Sequence, residues 1–325
     1  KLFLEIDGRP TKVNKNGEFE FEGFAIDPEE GEVLKIVATD RWYNRSEKDV
    51  KINIKLKEIK VARSFEKLKP NSVRVKTDKN KVAIIIGAEN YKNMTKCNYC
   101  NNDANAFRAY AKETLGIKKS NTIVLIDENA TRGQILKTLK IDLRKITGEG
   151  GKDIYIFFAG HGLASENGEN VYLIPQDGNK NLLEDTAISR NDLINLMKEI
   201  NPKSVTIFID ACYSGQTRNE KNLVASLRGI SVKPLNDIPD NFTIFTASSS
   251  SQGSSHIEEA KHGIFSYYLM KGLEGKADKN KDNKITNGEM IAYLQNNVSQ
   301  EAFTQNREQE PMLSGDPDKV LISFR

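Results

Sequence analysis

The chain has 325 residues, 38% of them apolar and 29% charged, with 48 basic and 45 acidic side chains for a net charge of +3. This length exceeds the usual single domain, so two domains are expected. Near-balanced, interspersed charge gives no basic stripe for nucleic acid, and no apolar run approaches the ~20 residues needed to span a bilayer. Three cysteines cannot all pair, which fits one being kept as a free thiol. There is no signal peptide; the chain starts with lysine and enters a strand at once, as a fragment does when its targeting segment lies upstream.

Residues 1–58 alternate with period two: Leu2, Leu4 and Ile6, Phe19 and Phe21, Leu34 and Ile36, then Val50, Ile52, Ile54 and Leu56. Asp7-Gly8 and Asn16-Gly17 are hairpin signals between these runs. The pattern predicts a small antiparallel β domain, a sandwich lacking its first strand or two. Trp42 is expected to pack in a turn and not to form a binding platform. Residues 59–79, mixed and highly charged with Pro70, read as a linker.

From Lys81 the period changes. Val82 to Ile86 is a continuous apolar run, the mark of a strand covered on both faces. Further strands are predicted at 122–126, 154–158, 205–209, 242–247 and 320–323. Helices are predicted at 103–115, closed by Gly116, at 131–146, at 189–199 and at 263–271. This alternation predicts a mainly parallel six-stranded sheet with helices on both faces over residues 80–325.

Two of these strands end in reactive groups. Ile154 to Phe158 runs into Ala159-Gly-His161-Gly162, and Val205 to Ile209 runs into Asp210-Ala-Cys212-Tyr-Ser-Gly215. In a parallel α/β sheet ligands bind beyond the carboxyl ends of the strands. A free cysteine, with a pKa of about 8.5, is mostly unionised near neutrality, so an attacking thiol needs a partner base. His161 fills that role, and flanking glycines allow close approach of a substrate. The bland alternative is a buried structural thiol.

These two motifs, 51 residues apart with the histidine first, resemble the caspase-like cysteine peptidases, and their bacterial orthocaspase and metacaspase branches more than the animal enzymes. The segment of Val37 to Asp40 with its following turn and strand resembles the last strands of bacterial immunoglobulin-like modules. The resemblance covers roughly residues 80 to 325 and implies a Cys212–His161 dyad, with the backbone N–H groups of Gly162 and Cys212 forming the oxyanion hole. It also implies that Asp103 and Asp210 form an acidic S1 pocket bordered by Cys100. That predicts cleavage of proteins or peptides after Arg or Lys.

For Asp103 the competing reading is a helix N-cap. For Cys97-x-x-Cys100 the alternatives to pocket lining are a redox or zinc pair, but zinc normally needs four ligands and no second pair exists. Asp278, Asn280, Asp282, Lys284, Thr286 and Glu289 follow the ligand order of a calcium loop, although Asn283 replaces its usual glycine. Arg218, Lys221 and Arg228 lie in a polar stretch, 216–240, where the resemblance implies self-processing and where a solvated loop is the alternative. Residues 248–255 are either a cleft edge or a loop tip, and His256 and His262 are expected to be structural or exposed.

The chemistry requires no cofactor, calcium at that loop is the one candidate ion, and a monomer is the favoured state. A secreted or periplasmic and a cytoplasmic location both stay open. Two other functions compete: a catalytically silent caspase-like scaffold, and a clostripain- or legumain-like peptidase with another P1 preference. A nucleotide-binding protein is disfavoured, since no glycine-rich phosphate loop follows the first strand.

Overall fold

The computed structural model describes residues 3–6, 9–21, 32–52, 64–165, 170–211, 238–248 and 255–324. The chain divides into two compact units, Lys1–Arg63 and Ser64–Arg325.

In the first unit β1 (Phe3–Ile6), β2 (Arg9–Thr11), β3 (Glu32–Thr39) and β4 (Arg45–Ile52) form an antiparallel sheet in the order β2-β1-β3-β4. Alternation sets its buried face: Leu4 and Ile6 are buried and stand opposite Ala38 and Ile36. Ile6 pairs with Arg9, and Asp7-Gly8 lies outside the described residues. A second sheet, which a sandwich requires, is not among the described residues. Trp42 departs from the expected packing. It sits at the tip of the β3–β4 hairpin, 64% exposed, beside Tyr43 at 89%. Asp40 shapes that turn by accepting hydrogen bonds from the backbone N–H groups of Trp42 and Asn44, so the aromatic rings are not needed as packing.

The second unit contains, in chain order, β5 (Lys81–Gly87), α1 (Cys100–Glu113), β6 (Thr122–Ile126), α2 (Arg132–Lys137), α3 (Leu143–Thr147), β7 (Asp153–Ala159), β8 (Gly162–Ala164) and β9 (Val171–Leu173). Next come α4 (Leu183–Thr186), β10 (Ile188–Ser189), α5 (Arg190–Lys198), β11 (Ser204–Asp210) and β12 (Phe242–Thr246). The chain closes with β13 (His256–Ile257), β14 (His262–Gly263), α6 (Ile264–Lys271), β15 (Lys284–Thr286), α7 (Asn287–Phe303), β16 (Met312–Ser314) and β17 (Val320–Ser323). The central sheet has six strands in the order β16-β12-β11-β7-β5-β6. All neighbours are parallel except β16, which runs antiparallel to β12.

The sixth strand is not the one the apolar pattern predicts. Val320–Ser323 pairs with β15 in a separate two-stranded ribbon, and the three residues Met312–Ser314 take the edge of the main sheet. Three edge residues are too few to show a period. The helix predicted at 131–146 is interrupted: a five-residue π turn at Thr138–Asp142 separates α2 from α3. The longest helix, α7, opens with a capping box in which Thr286 and Glu289 satisfy each other's backbone N–H groups.

Side chains alternate along a strand, so one face of the sheet reads from end to end in steps of two. On β11 that face carries Ser204, Thr206, Phe208 and Asp210. Phe208 packs on Phe107 of α1, as does its register partner Phe157, and Phe245 continues the row. Residues 64–79, read from the sequence as linker, lie against this unit. Phe65 meets the Tyr267 ring edge-on, and the buried Lys271 ammonium reaches the Glu66 carboxylate at 3.3 Å and the Lys67 carbonyl at 2.9 Å.

Candidate active site

β7 and β11 are neighbours in the sheet, with Asp210 in register with Ala159. The ladder continues one step past the strands, as Gly160 N–H donates to the Asp210 carbonyl at 3.2 Å. Counting on from that pair, His161 stands two residues beyond β7 and Cys212 two residues beyond β11. Cys212 itself, with Arg218, Lys221 and Arg228, lies outside the described residues.

His161 is buried and held on three sides. Its backbone N–H donates to the Tyr91 hydroxyl at 2.7 Å, its carbonyl accepts from Ile174 at 3.0 Å, and its ring lies against the Tyr91 ring with centroids 4.6 Å apart. Ring Nε2 lies 2.8 Å from the Thr95 carbonyl. A carbonyl only accepts, so Nε2 carries a proton. Gly160 is required here. A Cβ at that position would lie 2.6 Å from the Tyr91 hydroxyl and push it off His161. Gly162 begins β8 and pairs with Leu173 of β9, so its backbone is anchored directly after the histidine.

Tyr91 and Thr95 belong to the loop between β5 and α1, which two carboxylates hold in place. Asp127, just past β6 and in a left-handed conformation, accepts from the backbone N–H groups of Glu89 and Asn90 and from the side chains of Asn90 and Asn101. Burial pushes the Asp127 carboxyl up, but these hydrogen bonds outweigh it and hold the group below the ordinary carboxylate range. Glu89 takes the backbone N–H of Asn101 at 3.0 Å and an ion pair from Lys96 at 2.9 Å.

Asp103 and Asp210 are both fully buried, and both turn to the start of α6. Asp103 accepts from the Gly263 N–H through both oxygens and lies 2.8 Å from His262 Nδ1. Asp210 accepts from the Ser266 backbone N–H at 3.2 Å and from its hydroxyl at 2.5 Å. A helix N-terminus with its unpaired N–H groups favours negative charge, and here it draws in two carboxylates from different elements. Asp103 is not the N-cap of its own helix. Tyr99 takes that position, and Asp103 sits one turn inside α1.

Cys100 is fully buried three residues before Asp103 and is joined to Cys97 by a disulfide. Sulfurs bonded to each other cannot serve as a thiolate zinc pair, and Cys212 is the one cysteine outside this bond. In the loop 278–289 the expected calcium ligands serve the backbone: Asp278 accepts from Asp282 and Asn283, Asn280 from Asp282, and Asp282 from Lys284. Glu289 is committed to the Thr286 N–H and hydroxyl. Among the described residues no group of three or more His, Cys, Asp or Glu is gathered to hold a metal ion, and no helix is long and apolar enough to cross a membrane.

A family model described as the caspase domain, Peptidase_C14, matches residues 80–322. The chain belongs to the caspase-domain family. Two solved structures share the fold of its caspase domain. One is protein GSU0716 from Geobacter sulfurreducens, 18% identical with a TM-score of 0.50, covering 75% of this chain and 97% of its own. The other is caspase-1 from Spodoptera frugiperda, 15% identical with a TM-score of 0.51, covering 79% of this chain and 94% of its own. No curated protein sequence matches the chain. Membership makes this a cysteine-peptidase domain at the level of the family.

Within the caspase domain, sequence reasoning singled out the strand-end residues and the two carboxylates but missed what holds the histidine. Tyr91 carries a visible signal, an aromatic just past the first strand end. The Thr95 carbonyl carries none, because every residue has one. Ser266 and His262, the partners of the carboxylates, were not connected to them by any local pattern.

Proposed function

We propose that the protein is a cysteine endopeptidase of the metacaspase or orthocaspase type that hydrolyses peptide bonds after Arg or Lys. The observation that supports this best is the β7–β11 register, which matches the offset between His161 and Cys212 and makes them successors of a paired position. In this reading the Cys212 thiol gives its proton to His161 Nδ1, and the sulfur attacks the scissile carbonyl carbon. The oxyanion forms against the N–H groups of Gly162 and Cys212. The imidazolium, with Nε2–H still on the Thr95 carbonyl, then protonates the leaving amine as the C–N bond breaks. Water hydrolyses the thioester, its proton passing to His161 and then to the departing sulfur.

The basic P1 preference rests on Asp103 and Asp210, two buried carboxylates converging on one helix start, with Cys100 one turn away from Asp103. A P1 guanidinium would add a cation to that pair. Self-processing is assigned to Arg218, Lys221 or Arg228, and the working unit is a monomer. None of these steps draws on a metal. Calcium enters only through the 278–289 loop, where Glu289 would have to leave its capping box to ligate.

The test is a panel of fluorogenic peptides with P1 Arg, Lys, Asp or Asn, run on wild type, Cys212→Ala and His161→Gln, in calcium and in EGTA. Turnover of the Arg and Lys peptides is expected, equal in both buffers, abolished by Cys212→Ala and reduced about 10²- to 10⁴-fold by His161→Gln. No turnover of any peptide would favour a silent scaffold, and a P1 Asp or Asn preference would overturn the assignment of the two carboxylates.

A further inference from the structure

On the sheet face that carries Phe157 and Phe208, the residues two steps nearer the strand starts are Tyr155 and Thr206, paired in register, with Thr243 of β12 beside Thr206. The next row toward the starts is Lys81, Asp153 and Ser204. A sheet covered on both faces ordinarily carries apolar side chains at such positions. Here the phenylalanine row gives way to hydroxyls. Tyr155 and Thr206 line a cleft of about 650 Å³, with Val75, Lys76, Asp78, Asn287 and 319–323 around it. It opens at the end of the sheet opposite His161, about 13 Å of strand from Thr206 to Asp210.

Tyr155 is 6% exposed and Thr206 5%, and neither hydroxyl has a hydrogen-bond partner among the described residues. Thr243, by contrast, is matched by the Asn287 amide at 3.2 Å. Both residues line the cleft and neither hydroxyl is tied up by another described residue, so each is free to bond a molecule held there. Two ammonium groups reach the same cleft. Lys81 donates to the Leu115 carbonyl at 3.0 Å and Lys319 to the Asn241 carbonyl at 3.1 Å, and neither forms an ion pair among the described residues. Lys203 is taken by Asp153, which also accepts from Ser204. Asp78, Asp240 and Lys76 line the cleft as well. Burial pushes both the Lys81 and Lys319 ammonium groups down from their ordinary value, opposed in part by Asp78 and Asp153 near Lys81 and by Asp153 and Asp316 near Lys319.

We propose that this cleft binds a small phosphate ester, its phosphoryl oxygens met by the Lys81 and Lys319 ammonium groups and the Tyr155 and Thr206 hydroxyls. Compact ammonium groups suit phosphate oxygens, and a volume in the range of small-molecule sites leaves room for an organic part against Val75 and Leu321. The site lies away from the proposed peptidase chemistry and does not depend on it.

Isothermal titration calorimetry of the full chain with inorganic phosphate, glucose 6-phosphate and AMP tests this, with peptide turnover followed separately. At least one ester is expected to bind saturably and about tenfold more tightly than inorganic phosphate. Lys81→Gln and Lys319→Gln are each expected to weaken it about tenfold or more. Thr206→Val, nearly isosteric, is expected to weaken it less, and urea unfolding of each variant identifies any that fails to fold. No saturable binding of any probe, an ester bound no better than inorganic phosphate, or affinity unchanged in the folded lysine variants would overturn the proposal.

Discussion

At the scale of single residues, His161 is fixed through its backbone, its ring face and its ring nitrogen at once. The Tyr91 hydroxyl accepts the His161 N–H while donating to the Ile174 carbonyl at 3.1 Å, so one oxygen ties the histidine to the residue just past β9. Tyr91→Phe keeps the ring contact and leaves a buried N–H without its acceptor. Stability is expected to fall by about 1–3 kcal/mol in urea unfolding; if His161 is the base proposed above, kcat is expected to fall more than KM rises, because the change acts on His161 and not on substrate contacts. The two carboxylates at α6 give a separate prediction. Asp103→Asn and Asp210→Asn keep an acceptor for the helix N–H groups but remove the charge. Each is expected to lower kcat/KM for P1 Arg peptides by about a hundredfold or more. Loss of stability without a change in P1 preference would mean that their task is to cap α6.

At the scale of elements, the loop between β5 and α1 is the part on which the histidine's orientation depends, and Asp127 is its fastening. The Asp127 carboxyl titrates below its ordinary range in the folded protein, so its contribution is fully present above about pH 4. That contribution is lost as pH falls through the depressed folded value. Asp127→Asn is therefore expected to cost about 1–3 kcal/mol at neutral pH, and the gap to wild type is expected to narrow as acid is added. Urea midpoints measured from pH 7 down to pH 3 check this, and a gap that stays constant across the range would remove Asp127 from that role. The short β16 and the interrupted helix over 132–147 make a different point. Elements below about one turn or one strand repeat carry no periodicity of their own, and only pairing with β12 or packing against the sheet decides them.

At the scale of the whole molecule, the second unit starts at Ser64, sixteen residues before the match to the family begins. The intervening residues fill polar needs of the core. Glu66 and Lys67 meet the buried Lys271 ammonium, the Glu66 carbonyl accepts from Tyr267, and the Pro70 carbonyl accepts from Thr114. A protein spanning 64–325 is expected to keep peptide turnover near that of the full chain. One spanning 80–325 orphans several buried groups, each worth about 1–3 kcal/mol, and is expected to unfold at clearly lower urea. Equal midpoints for the two would show that residues 64–79 add nothing to the fold.

The amino-acid sequence by itself determined the class of sheet, five of its six strands and the placing of the two reactive motifs just past strand ends. Continuous apolar runs and abrupt strand-end glycines are local features that survive without neighbours. Only the tertiary structure decided which strand closes the edge, that Thr95 supplies the carbonyl for His161, and that Asp103 meets His262 across 159 residues of chain. Those outcomes depend on backbone groups common to every residue and on contacts between distant segments, and neither leaves a mark in a local pattern.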